Sequence, residues 1–298
     1  MSTMMPRTNT LRSGIAALLL FGAAMAVAPG LSSAQAGPDP VQVADSLSRL
    51  IHRGVVTGEA AVLQAARTLA ERALIAHPGH PLLEHHLAAT LYREASPLLE
   101  TNPERGQELL EEASTILQQT VEREDALPET HALRASVIGM QITNPLKGMT
   151  MGPKANRALD RAMALSPENP RVWLAQGIST LHTPSFMGGG PDRAIEDLRR
   201  GIAALESDRP APGHPIGGGA ELWAWVGVAH MRADRESEAV AAFRRALEME
   251  PEYAWVRYVL LPEAENRAHG SEARARRPAR SRAAGQPAGQ PAIQPAAC

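Results

Sequence analysis

The chain has 298 residues, a formal net charge of −2, and 44% apolar, 21% charged and 3% aromatic residues, with 24 glycines and 24 prolines. These values exclude a chain disordered throughout and a multi-span membrane protein, and the length allows one or two domains with a sizeable core. The single cysteine, Cys298, excludes an intramolecular disulfide or a cysteine-based zinc site, and an alanine-rich, aromatic-poor chain favours helices over a sandwich of strands.

Arg7 and Arg12 precede an apolar run from Ile15 to Ala28, which Pro29 and Gly30 break before Ala34-Gln35-Ala36. A basic start, a short apolar middle and small residues at a cut site predict a signal peptide over 1–36, cleaved near Ala36. The run is shorter than the ~20 residues of a spanning helix, and no later run approaches that length, so no membrane span is expected in the mature chain. Export to the periplasm or medium follows as an expectation. The acidic excess falls on residues 37–269, which argues against nucleic acid as a partner.

Helical periodicity then recurs in pairs along the chain. Residues 43–54 pair with 60–78, where Ala66, Ala70, Ala73 and Pro78 mark the second helix. Residues 82–94 pair with a helix near 107–122 across an expanded turn. Residues 129–142 lead through a long linker, 143–153, to a helix marked by Ala155, Leu159, Ala162 and Pro167. Residues 170–180 carry Trp173 and Gly177, and a turn that contains 185–190, five residues longer than that of the last copy, separates them from Ala194, Leu198 and Gly201. In 220–251, Leu222, Trp225, Val226 and Ala229 form one stripe, and Ala239, Phe243, Ala246 and Leu247 form the next, ended by Pro251. Asn102-Pro103, Gly152-Pro153, Asn169-Pro170 and Gly190-Pro191 read as helix starts. A last helix over 252–269 is expected, with Pro262 weakening its second half, and the Arg/Pro/Ala/Gln-rich tail 270–298 is expected to be disordered.

Residues 220–251 resemble the tetratricopeptide repeat (TPR), a helix–turn–helix unit with a W-x2-L-G-x2-Y…A-x3-F…P pattern. Trp223, Val226, Gly227 and His230 fall on its first-helix positions, and Ala239, Phe243, Ala246 and Pro251 on its second-helix positions; Val226 and His230 depart from the pattern. The resemblance implies an all-α fold, a right-handed α-solenoid of about five antiparallel helix pairs with expanded intra-repeat turns over 37–269. It also implies that Trp173 and Trp223 pack in the core between the helices of each pair. In the family, set positions of each first helix face a concave groove that binds peptides or proteins. By that resemblance the groove takes Glu221, Ala224, Val228, Met231 and Arg232 from the last copy, and Arg171, Leu174, Ile178, Leu181 and His182 from the one before. Earlier copies add Glu129, Ser136 and Met140, then His86, Thr90, Arg93 and Glu94. The family's chaperone-tail clamp of lysines and asparagines has no counterpart among these positions.

Other chemistry is thinly supported. His77, His80, His85 and His86 form a cluster, but His80 to Glu84-His85 is one residue too long for a zinc signature and adjacent His85 and His86 face different sides of a helix. A turn with surface histidines is the expectation, and a metal-dependent activity at His77–His86 is the alternative. The run Gly188-Gly189-Gly190 before Pro191 reads as a tight turn rather than a phosphate cradle, because Pro191 removes a donor and Asp192 adds negative charge. With Phe186 and Met187 it forms an apolar inserted turn, the best local candidate for something specific. Met140, Met149, Met151, Met163 and Met187 invite copper, but no cysteine or tight histidine pair joins them, so gap-filling is the expectation. No nucleophile motif occurs, so a non-catalytic protein without cofactor or metal is expected.

The expected function is therefore an exported, non-catalytic scaffold that binds a protein or peptide through its concave face. The turn at 188–194 is also similar to the glycine turn in the helical T component of periplasmic tripartite (TRAP) transporters, which implies a transport accessory as the alternative.

Overall fold

The computed structural model describes residues 38–123 and 126–275, and the expected leader and most of the tail lie outside the described residues. The described residues form α1 (Pro40–Thr57), α2 (Ala60–Ala76), α3 (Pro81–Thr101), α4 (Pro103–Thr120), α5 (Pro128–Met140), α6 (Pro145–Leu165), α7 (Pro170–His182), α8 (Pro191–Ala204), α9 (Gly219–Arg232), α10 (Glu236–Met249) and α11 (Leu261–Ala275). Five successive pairs, α1/α2 to α9/α10, stack into an all-α solenoid, and α11 covers the last.

Local chemistry sets the starts. Proline opens α1 and each of α3 to α8, where its missing N–H costs nothing and its fixed φ suits a first turn. Asn102, Asn144 and Asn169 cap α4, α6 and α7, each accepting a backbone N–H, from Arg105 at 3.3 Å, Lys147 at 2.9 Å and Arg171 at 3.0 Å.

The pairs close tightly because small residues meet large ones. Second helices bury alanine stripes: Ala66, Ala70 and Ala73 in α2, Ala155, Ala158 and Ala162 in α6, and Ala239, Ala242 and Ala246 in α10. In the first helices, Gly54, Gly177 and Gly227 admit Leu63, Leu198 and Phe243. A Cβ at Gly177 would stand 2.5 Å from Leu198 Cγ, and one at Gly227 would overlap the Phe243 ring, which is fully buried. Gly227→Ala is therefore expected to destabilise by about 1–3 kcal/mol through overpacking. A melting midpoint equal to that of the unaltered chain would contradict this packing.

Several expectations need correction. The linker 143–153 is the first half of α6, and Gly152-Pro153 lies inside that helix rather than at a helix start. Asn144 with Pro145 provides the start instead. The second pair has no expanded turn: α3 runs through Pro97 to Thr101, and Asn102 alone links it to α4. Pro262 does not end the last helix. A π-helical turn, Val256–Leu260, precedes it, Pro262 sits in the first turn of α11, and the helix continues past 269 to Ala275. Trp173 and Trp223 are half-buried at the flank of their pairs, and the indole at the centre of the core is Trp225. Trp173 Nε1 donates to the Pro167 carbonyl at 2.7 Å, and Arg200 lies over its ring.

The feature with most influence on the inner face is the segment 205–218 between α8 and α9. It leaves the fourth pair, packs on the first, and enters the fifth. Ser48 Oγ donates to the His214 carbonyl and accepts from the Ile216 N–H, both at 3.0 Å. The Gly213 N–H donates to Asp45, and the Gly213 carbonyl accepts from His86 Nε2 at 2.8 Å. Gly213 needs to be glycine twice over: its φ is +79°, and a Cβ there would meet Leu82, Ala44 and Val41 at 2.9–3.3 Å. His52 in α1 also pairs with Glu250, beyond α10, at 3.0 Å. The first pair is thus joined to the last.

Candidate functional site

Four first helices turn one stripe each to a common interior. Ser48, Ile51, His52 and Val55 come from α1, and His85, His86, Ala89, Tyr92 and Arg93 from α3. Glu129, Ala132, Leu133 and Ser136 come from α5, and Arg171, Leu174, Ala175 and Ile178 from α7. Each set steps by three and four residues, which keeps it on one face of its helix. Pro215, Ile216 and Gly218 of the crossing segment and Glu221 of α9 close a cavity of about 140 Å³. A second space of about 220 Å³ adjoins it and shares His52, Val55, Gly218 and Glu221.

The charges of this interior are matched within the chain. Arg171 reaches Asp208 through two bonds, at 2.7 and 2.8 Å, and Glu129 at 3.3 Å, while Asn169 donates to the same Glu129 carboxylate at 2.7 Å. Burial opposes the charge on Arg171, but these carboxylates overcome it and hold its pKa above the ordinary value. Arg93 makes a two-point pair with Glu221, at 2.7 and 3.0 Å, and its pKa is raised in the same way. What faces the cavity without a matched charge is mainly Ile51, Val55, Ala89, Leu133, Leu174 and Ile178.

The histidine turn differs from its expectation. His85 and His86 are buried, not on the surface. Each is held by one partner: His85 Nδ1 lies 3.0 Å from Thr130 Oγ1, and His86 Nε2 lies on the Gly213 carbonyl. Burial is the largest influence on both. It lowers His86 to about 4 and drives His85 well below the usual histidine value, helped there by His86, His214 and Arg171. Among the described residues, no group of three or more His, Cys, Asp or Glu is placed to hold a metal ion.

The residues expected in the groove divide. Arg171, Leu174, Ile178 and Glu221 line the cavity, as do His86, Arg93, Glu129 and Ser136. His182, Met231 and Arg232 lie apart from it; Arg232 donates to the Leu181 carbonyl at 3.1 Å and lies 3.0 Å from His182 Nε2. Val228, Ala224 and Leu181 are buried in the core, and Met140 packs against it. Thr90 is buried and donates to the His86 carbonyl at 2.8 Å, and Glu94 pairs with Arg67. In the inserted turn, Phe186 and Met187 are exposed, and Gly188 and Gly190 adopt φ of +89° and +107°. The backbone N–H groups of Met187, Gly188, Gly189 and Gly190 all donate to chain carbonyls, so this turn presents no anion cradle.

Sequence reasoning missed the α1 contribution and the crossing segment. The one available signal was length: 205–218 is longer than a repeat junction requires and is rich in glycine and proline.

The architecture is that of the helix-pair solenoids. Comparison with solved structures places it among the tetratricopeptide-like folds. The HusA haemophore from Porphyromonas gingivalis is similar at a TM-score of 0.51 and 23% identity, over 63% of this chain and 93% of that one. TTC0263, a thermophilic TPR protein of Thermus thermophilus, is similar at a TM-score of 0.52 and 21% identity, over 74% and 98%. No family model and no curated protein matches the chain.

Proposed function

We propose that this protein is an exported, non-catalytic tetratricopeptide-type scaffold that holds a protein or peptide partner by an anchor residue on its inner face. The observation that carries the reading is the shared register in which α1, α3, α5 and α7 each bring a stripe to one cavity. Because the arginines and carboxylates there satisfy each other, the walls left for a partner are apolar. A cavity of about 140 Å³ takes one apolar side chain or a chain end rather than a folded segment. Along α7, Leu174, Ile178 and His182 continue in steps of four, so the partner's flanking residues would lie toward His182, Met231 and Arg232.

Ala89 offers a test, because it lines the cavity and is only half-buried. The chain from residue 37 onward is immobilised beside an Ala89→Phe variant with a native melting curve, and each is exposed to envelope extract. A protein retained by the first and lost by the second is the expected result. Equal retention by both would remove the cavity from the binding site. Export is tested on the same material, since the protein recovered from the envelope should begin at or near residue 37.

The segment 205–218 across the inner face favours one second reading, a transport accessory whose cargo is a small molecule. In that case small molecules, not a protein, are released when the purified chain is denatured, and Ala89→Phe abolishes them.

A further inference from the structure

The outer face of α6 joins exposed apolar side chains to a run of cations. Its buried side is Ala155, Ala158, Leu159 and Ala162. On the opposite side stand Leu146 and Met149, 72% and 75% exposed, followed by Lys154, Arg157 and Arg161, with Lys147 in the first turn. Lys147 and Lys154 are the only lysines in the sequence, and Asp160 is the only carboxylate in the helix. None of the four cations is in an ion pair among the described residues.

The stacking adds a second element. α5 and α7 are first helices of adjacent pairs and pack together, so the turns that follow them stand at the same edge of the solenoid. That edge therefore receives the start of α6 and the inserted turn, where Phe186 is 90% and Met187 66% exposed. A short 3-10 turn, Ser185–Met187, holds these two side chains out, and Gly188 has no neighbour that a Cβ would meet. Net positive charge with protruding Phe, Leu and Met groups on an otherwise acidic body is the composition that settles at a lipid–water boundary. A protein partner would instead favour a flat or concave patch of roughly 800 Å².

We propose that the edge formed by the first half of α6 and the 185–190 turn docks on an anionic lipid surface, with Phe186, Met187, Leu146 and Met149 entering the headgroup boundary. The proposal is independent of what the inner cavity binds.

Co-sedimentation with phosphatidylcholine vesicles containing about a third phosphatidylglycerol tests it. The chain from residue 37 onward should sediment with these vesicles, not with pure phosphatidylcholine, and salt should release it. Removing either Lys147 or Lys154 should weaken partition about fivefold, so Lys147→Glu with Lys154→Glu should nearly abolish it. Phe186→Ser should weaken partition without changing its salt dependence. These sites are exposed, so native melting curves are expected for both variants. Equal partition of the unaltered chain to neutral and anionic vesicles would overturn the proposal. So would partition that survives both variants but is lost when Arg276, Arg277, Arg280 and Arg282 are changed to serine. Retention on an immobilised acidic polypeptide without vesicle binding would assign the edge to a protein partner and overturn it as well.

Discussion

Arg171→Ala should be among the most damaging single substitutions in this protein, destabilising it by about 3–5 kcal/mol. The guanidinium is 12% exposed and sits between Glu129 and Asp208, whose side chains are 7% and 19% exposed. Removing it leaves two carboxylates largely out of water with no counter-charge, and the resulting cost exceeds the value of the pairs themselves. The loss is also structural in reach, because the three residues belong to α5, α7 and the crossing segment. Arg171→Lys should recover only part of the loss, since an ammonium cannot offer two parallel bonds to Asp208 while also reaching Glu129. Thermal melts of the three proteins measure this, at about 2–4 °C per kcal/mol for a chain of this size. If the alanine variant melts with the unaltered chain, the ion network does not hold the segment down.

Mild acid should produce the second large effect. His86 is neutral in the folded chain, and its bond to the Gly213 carbonyl requires the proton on Nε2. Its folded pKa is about 4, lowered by burial first and by His214, while the Gly213 carbonyl, Asp45 and Glu129 work in the other direction. The unfolded chain takes up a proton near pH 6.5, whereas the folded chain resists until about pH 4. Stability is therefore complete above about pH 6.5, falls as pH drops through that interval, and levels below it. His86 alone accounts for about 3 kcal/mol across the window, and His85, shifted in the same direction, adds to the slope. Melting midpoints followed from neutral pH downward should fall steeply there. His86→Gln, which keeps a donor for Gly213 but cannot ionise, should flatten the profile; an unchanged slope would assign the acid sensitivity to other groups.

How far the sequence reveals this molecule depends on the range of the interactions. The helix pairs were legible because their signals are local: alanines at steps of three and four, Gly177 and Gly227 opposite large residues, and prolines at helix starts. Gly148, Gly152 and Pro153 each weaken a helix and suggest a linker over the first half of α6, but the Asn144 cap with tertiary packing of Ala155, Ala158 and Leu159 overrides them. Adjacent His85 and His86 face different sides of a helix, which alone suggests a surface turn. What buries them is Thr130 and Gly213, which are 45 and 127 residues away in sequence. Likewise half of the expected groove set reached the cavity, but nothing near Arg171 in the chain announces that Asp208 will answer it.

The joining of the first pair to the last has a consequence for how the molecule comes apart. An open array of helix pairs can fray, since its terminal units have a neighbour on one side only and can melt before the middle. Here Ser48, Asp45 and His86 hold the 205–218 segment, and His52 holds Glu250, so contacts spanning more than 120 residues bind the ends of the array to each other. The terminal pairs thereby lose the independence that fraying needs. Melting should spread through the five pairs as one cooperative event, and hydrogen exchange in α1 and α10 should track the global opening rather than precede it.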